Sequence, residues 1–131
     1  VKKESQPAAK KSLKTTPRPR ELEDGVIYRL TQLYNWDYLY EFQATNGTIQ
    51  LYTNCGQPYG CDLYGFWANP FVLTQTAPNV YLSTFTTGTV LNKYQFLVQA
   101  DGSVLVYFSH DQCYPSGCSG VPLELLGLFE P

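Results

Sequence analysis

After Gly25 the chain alternates apolar and polar residues with a period of two, and runs with the 3.6-residue period of a helix are missing. The alternation predicts strands at Val26–Tyr34, Tyr38–Thr45, Thr48–Thr53, Phe66–Thr76, Val80–Thr86, Thr89–Ala100, Val104–Ser109 and Pro122–Phe129. These segments are rich in Tyr, Phe, Val and Thr, whose branched or planar side chains suit a pleated, half-buried surface. A short helical turn is the alternative for Pro122–Phe129. About eight short strands with turns between them define an all-β fold, a single antiparallel β-sandwich or barrel, jelly-roll-like.

Two hairpins carry a register. Asn46-Gly47 is a strong two-residue turn signal. It pairs Ala44 with Ile49 and Phe42 with Leu51 on one face, and Thr45 with Thr48 and Gln43 with Gln50 on the other. One face is then apolar and the other polar, as a sheet packed on one side requires. Asn46-Gly47-Thr48 is also a glycosylation sequon, but the turn accounts for it without a glycan. Asp101-Gly102, read the same way, pairs Val98 with Leu105 and Phe96 with Tyr107, and across the other face Gln99 with Val104, Leu97 with Val106 and Gln95 with Phe108. Both faces are substantially apolar, which predicts a mid-sheet hairpin or one covered on both sides. Thr86-Thr87-Gly88-Thr89 supplies a third turn.

Charge divides the chain in two. Seven of its nine basic residues lie in the first twenty positions against Glu4 alone, a net of +6, whereas residues 21–131 hold Arg29 and Lys93 against ten carboxylates, a net of −8. Residues 1–20 lack any apolar period and end in Pro17-Arg18-Pro19-Arg20, so they read as a disordered basic linker or hinge. Residues 21–131 are then one domain, large enough for one core and not for two. With two cations it has no electrostatic footprint for nucleic acid, which leaves at most the arm 1–20 for such contact. No apolar run approaches the roughly 20 residues of a spanning helix, and no apolar stretch follows the charged start as a secretory signal would demand. The 131 residues include no methionine, and we read the chain as part of a longer one.

Cys55-Gly56-Gln57-Pro58-Tyr59-Gly60-Cys61 and Cys113-Tyr114-Pro115-Ser116-Gly117-Cys118 are look-alike loops. Two local disulfides, Cys55–Cys61 and Cys113–Cys118, are the first reading. Cross-links between the loops, a four-thiolate zinc site and free thiols stay open, although five- and four-residue gaps suit zinc poorly.

Catalytic chemistry finds little support. Ser109-His110-Asp111 contains the one histidine. Neighbouring strand residues point to opposite faces, so the run argues against a triad and reads as a polar strand end. Asp37, Glu41, Asp62, Asp101 and Asp111 allow acid pairs of the kind glycosidases use, with Asp62 and Asp111 the best candidates, but any acidic domain contains such pairs. No calcium loop, phosphate loop or HExxH motif is present, and no metal or cofactor is expected. What remains is binding. Trp36, Tyr38, Tyr40, Tyr59, Tyr64, Trp67 and Tyr114 are more aromatics than a core of this size consumes, and Tyr59 and Tyr114 fall on loops. Core packing competes for Trp36 and Trp67, and packing against a disulfide competes for Tyr59 and Tyr114. The candidate binding residues are Trp36, Tyr59, Tyr64 and Tyr114.

The organisation resembles the protruding domain of a small non-enveloped RNA-virus capsid protein, nodavirus-like. The resemblance rests on the hinge Lys14-Thr15-Thr16-Pro17-Arg18-Pro19-Arg20, then Glu21–Tyr28 leading into Tyr34-Asn35-Trp36-Asp37-Tyr38, then an all-β domain running to Pro131. It implies a non-enzymatic spike on the virion surface, a homodimer carried by a parent shell domain, that meets a host receptor or glycan. It supplies no site residues. The rival expectations are a secreted lectin-like or effector β-domain that binds glycan or protein, and a small hydrolase.

Overall fold

The computed structural model describes residues 21–54, 64–66 and 70–131. The arm 1–20, and with it the hinge reading, lies outside the described residues. Among the described residues eleven strands run in chain order: β1 Ile27–Leu33, β2 Leu39–Thr45, β3 Thr48–Asn54, β4 Tyr64–Phe66, β5 Phe71–Val72, β6 Thr74–Ala77, β7 Val80–Thr87, β8 Val90–Val98, β9 Val104–Tyr114, β10 Gly117–Cys118 and β11 Glu124–Glu130. They form one antiparallel sheet in the order β4-β3-β2-β1-β11-β9-β8-β7-β6, with β5 on β3 and β10 on β9. The all-β expectation holds, and the last segment is a strand, not a helical turn.

Two meanders make up this sheet, and β11 joins them. It pairs with β9 through Leu105↔Leu128 and with β1 through Gly127↔Leu33. On the far side the predicted strand Phe66–Thr76 breaks into pieces because it changes partner. Phe71 and Val72 pair with Ile49 and Thr48, Leu73 N–H donates to the Gly47 carbonyl at 2.9 Å, and Thr74 and Gln75 pair with Leu82 and Tyr81. The Ser83 hydroxyl then donates to the Val72 carbonyl at 3.0 Å. Residues 71–77 thereby draw β3 and β7 together and nearly close the sheet into a barrel, which removes most of the exposed edge that an open sheet leaves.

The Asn46-Gly47 hairpin has the expected register at all four pairs. The second hairpin does not. Val98 pairs with Val104, Leu97 with Leu105 and Phe96 with Val106, one residue away from the two-residue-turn register. Its loop is longer: Gly102 N–H donates to the Gln99 carbonyl at 2.9 Å, and Gln99 N–H to the Ser103 carbonyl at 2.8 Å. That is a type I turn closed by a left-handed residue, and Gly102, at φ 90°, occupies the position where a side chain would be strained. Asp101 locks the turn by accepting from the Ser103 amide at 2.9 Å and the Ser103 hydroxyl at 2.6 Å. The slip matters because register decides which side chains share a face. It puts Phe96, Val98, Val104 and Val106 together inside the barrel, each at most 3% exposed.

Those four join Tyr28, Leu39, Phe42, Ala44, Ile49, Leu51, Tyr94, Leu126 and Phe129 in one core, which Leu22 covers at one end. Phe42 sits at its centre, with ring centroids 5.0 Å from Tyr28, 4.7 Å from Phe96 and 5.4 Å from Phe129.

The outer face of the second hairpin is left half-exposed. Register aligns Val80, Leu97, Leu105 and Leu128 in one row across β7, β8, β9 and β11, and Leu82, Gln95, Tyr107 and Leu125 in the next. Six of these eight side chains are aliphatic and one is a tyrosine, so a continuous apolar band crosses the outside of the sheet.

Candidate functional site

The turns at 46–47 and 99–103 lie at one end of the barrel. The 34–38 loop, the Gly88-Thr89 turn and the 113–123 segment lie at the other, because β1 ends, β2 and β8 begin and β9 ends there. The candidate site is this second rim.

Its centre is a buried chain of polar side chains that plugs the barrel mouth. Asp37 descends from the 34–38 loop and is 8% exposed. One carboxylate oxygen accepts from the Tyr94 hydroxyl at 2.7 Å and from Leu39 N–H at 3.2 Å. The other lies 2.6 Å from His110 Nε2. His110 Nδ1 lies 2.6 Å from Asn92 Oδ1. The Asn92 amide nitrogen faces Thr87 Oγ1 at 3.0 Å and the Phe85 carbonyl at 3.3 Å, so its oxygen is the atom turned to the histidine. His110 Nδ1 therefore carries a proton, and one further proton is held between Nε2 and the Asp37 carboxylate. Burial, and then the neighbouring Asp37 carboxylate, push the Tyr94 hydroxyl well above its usual range, so it stays a donor.

Register explains the assembly. Tyr94 and Asn92 pair with Phe108 and His110, so all four face inward, while Ser109 and Asp111 lie on the opposite face of the sheet, where both are buried. The triad residues thus diverge as expected. The polar strand end does not survive, because β9 runs on to Tyr114 and His110 lies in its interior. Asp37 was visible in the sequence only as one acid among several. Its distant partners come from two strands, 57 and 73 residues away, and no local pattern announces them.

The plug immobilises an aromatic loop. Tyr34 and Asn35 N–H groups donate to the Leu126 carbonyl at 2.8 and 3.1 Å, and the Asn35 amide to the Leu125 carbonyl at 2.7 Å. With Asp37 tied inward, Tyr34, Trp36 and Tyr38 project outward at 50, 42 and 40% exposure. Trp36 and Tyr38 meet edge to face, 4.7 Å between centroids and 69° between planes. Trp36 is therefore not core. Tyr34 belongs to the same surface and escaped the sequence reading, which assigned it to a strand end.

Tyr114 stands on the neighbouring loop, 61% exposed. Cys113 and Cys118 are a cross-strand pair joined by a disulfide, with Cα atoms 3.9 Å apart. That settles this loop as a local disulfide and removes the inter-loop, free-thiol and zinc readings for these two cysteines. A loop this short gives little chain-entropy stabilisation, so the bond mainly shapes the Tyr114 tip. Cys55, Tyr59, Cys61, Asp62 and Trp67 lie outside the described residues. Tyr64 lies in β4, paired through its backbone with Asn54.

Behind the disulfide tip, Asp111 organises the return of the chain. One oxygen accepts from the Ser119 hydroxyl at 2.7 Å and Ser119 N–H at 3.1 Å; the other accepts from Gly120 N–H at 2.8 Å and Val121 N–H at 3.2 Å. The Ser119 hydroxyl foremost, and these amides after it, hold the carboxyl below its ordinary range. A carboxylate depressed in the folded state contributes its stability above the unfolded value and loses it as pH falls toward the lower folded one. Stability is expected to decline as pH drops below about 4. Asp111→Asn should be less stable at neutral pH and should flatten that decline. Thermal melts across acid pH check this, and an unchanged acid slope in the variant would count against it.

Among the described residues no group of three or more His, Cys, Asp or Glu could hold a metal ion. Comparison of the chain with family models, with curated proteins and with solved structures finds no match.

Proposed function

We propose that this domain is a non-enzymatic attachment module of the capsid-spike kind, displayed on a virion surface, self-associating through its outer sheet face and meeting a host receptor with the aromatic rim. The observation that carries the reading is the outward-facing Tyr34, Trp36 and Tyr38, anchored by Asp37 and by backbone bonds to β11. Large rings fixed before binding lose little conformational freedom when a partner arrives, which is how contact surfaces use Tyr and Trp. Support for self-association comes from the apolar band across β7, β8, β9 and β11, because apolar residues at interface cores are what homodimers bury. Against catalysis stands the engagement of His110 by Asn92 and Asp37, and of Asp111 by four donors in the 119–121 turn.

Sedimentation equilibrium of the full chain tests the proposal. A dimer is expected at high protein concentration, and Leu105→Glu, in the centre of the band, should shift it to monomer without changing the fold seen by circular dichroism. A wild-type chain that stays monomeric at every concentration would remove the spike reading.

The Cys113–Cys118 disulfide favours a second reading, a secreted lectin-like or effector domain, because such bonds persist in oxidising compartments. Thiol counting on freshly made protein separates the two. A bond present before release from the cell supports secretion, and one formed only afterwards supports a particle assembled in the cytosol.

A further inference from the structure

We propose that the Trp36–Tyr38 corner is a binding site for a neutral saccharide; the proposal rests on the reading of the rim as the attachment surface and gives its ligand a chemical class. Three observations lead there.

The first is shape. Two rings held 4.7 Å apart at 69° form an L-shaped corner, with Tyr34 exposed beside it. An aromatic face carries negative potential and its edge positive. The C–H groups on one side of a pyranose ring are slightly positive, so they stack on such a face while the sugar hydroxyls point away toward polar neighbours.

The second is charge. Residues 21–131 carry a net of −8, and their cations are Arg29 and Lys93. Arg29 is paired with Glu41 at 2.6 Å, and Lys93 belongs to the outer face of β8, opposite to His110 and Asp37. Sialylated or sulfated sugars, nucleic acid and phosphopeptides all need cations at the contact. The rim offers carboxylate and carbonyl acceptors instead, Glu124 beside the Asn35 anchor among them. These suit the hydroxyl donors of an uncharged sugar.

The third is rigidity. The side chain of Asp37 and the backbone of Tyr34 and Asn35 are all bonded to the barrel. The corner exists before the ligand does, which favours a weakly held, multiply displayed ligand that cannot supply the energy to order a loop.

The full chain should be applied to an array of neutral, sialylated and sulfated oligosaccharides at low and high salt. Binding to neutral saccharides is expected, with little salt dependence. Trp36→Ala should weaken it tenfold or more, and Trp36→Phe should weaken it less. Circular dichroism of each variant identifies any that fails to fold, and Tyr38→Ala is then the substitute. Binding confined to charged saccharides and abolished by salt would reflect the basic arm and overturn the proposal, as would no saccharide binding at all. The two layers stay separable: if Trp36→Ala abolishes attachment to cells while the array is silent, the rim remains the attachment surface and its partner is a protein.

Discussion

Replacing Asp37 by alanine is expected to remove about 3 kcal/mol of stability and to release the aromatic loop. Three donors converge on this carboxylate from two parts of the fold: the Tyr94 hydroxyl, Leu39 N–H and His110 Nε2. Without it the Tyr94 hydroxyl, on a fully buried side chain, has lost its acceptor in a medium where an unmade hydrogen bond is costly. His110 is about a third exposed at its side chain, so water can take the place of the lost carboxylate at Nε2, which holds the cost near the lower end of what breaking a buried pair brings. Asp37→Asn keeps one oxygen for Tyr94 and Leu39, so it should lose roughly half as much. Denaturant unfolding at neutral pH measures both. A loss under about 1 kcal/mol for alanine would mean that the polar plug does not hold the rim.

Phe42→Ala is expected to cost still more, about 4 kcal/mol. Phe42 is fully buried, and its ring touches Tyr28, Phe96 and Phe129, which belong to three other strands. Deleting it forfeits its transfer free energy and leaves a cavity whose walls are strands in a ladder, so the site relaxes little. Since small domains hold only some 5–15 kcal/mol in all, the variant should populate unfolded chains at physiological temperature. A midpoint shift equivalent to under about 2 kcal/mol would place the centre of the core elsewhere.

The two hairpins mark how far the sequence can be read. At Asn46-Gly47 the turn signal and the face pattern agree, so one register satisfies both. At Asp101-Gly102 the dipeptide is the same kind of signal, but the decision rests with Ser103, whose amide and hydroxyl bind Asp101 and lengthen the loop. Because both faces of that hairpin are apolar, alternation had no power to expose a slip of one residue. The partner change at 71–77 was hidden for another reason: it depends on where β3 and β7 come to lie, which no neighbouring residue records. The site divides along the same line. Exposed aromatics and a cysteine-closed tip are local features and were legible at Trp36 and Tyr114. The Asp37–His110 contact that fixes Trp36 in place joins a loop to a strand far away in sequence and was not.

The position of β11 has a consequence for how the barrel comes apart. β1–β3 and β7–β9 are each a run of neighbours in sequence, yet they touch across the sheet through the strand that comes last in the chain. Phe129 and Leu126 fill the inner face from that strand, so neither meander can exclude water from its apolar side alone. Unfolding should then be all-or-none, and the slow step of refolding should be the docking of a segment far away in sequence. Native-state amide exchange in β2 and in β8 should report a single common opening free energy. Exchange from one meander at clearly lower cost than from the other would show that the halves are separable after all.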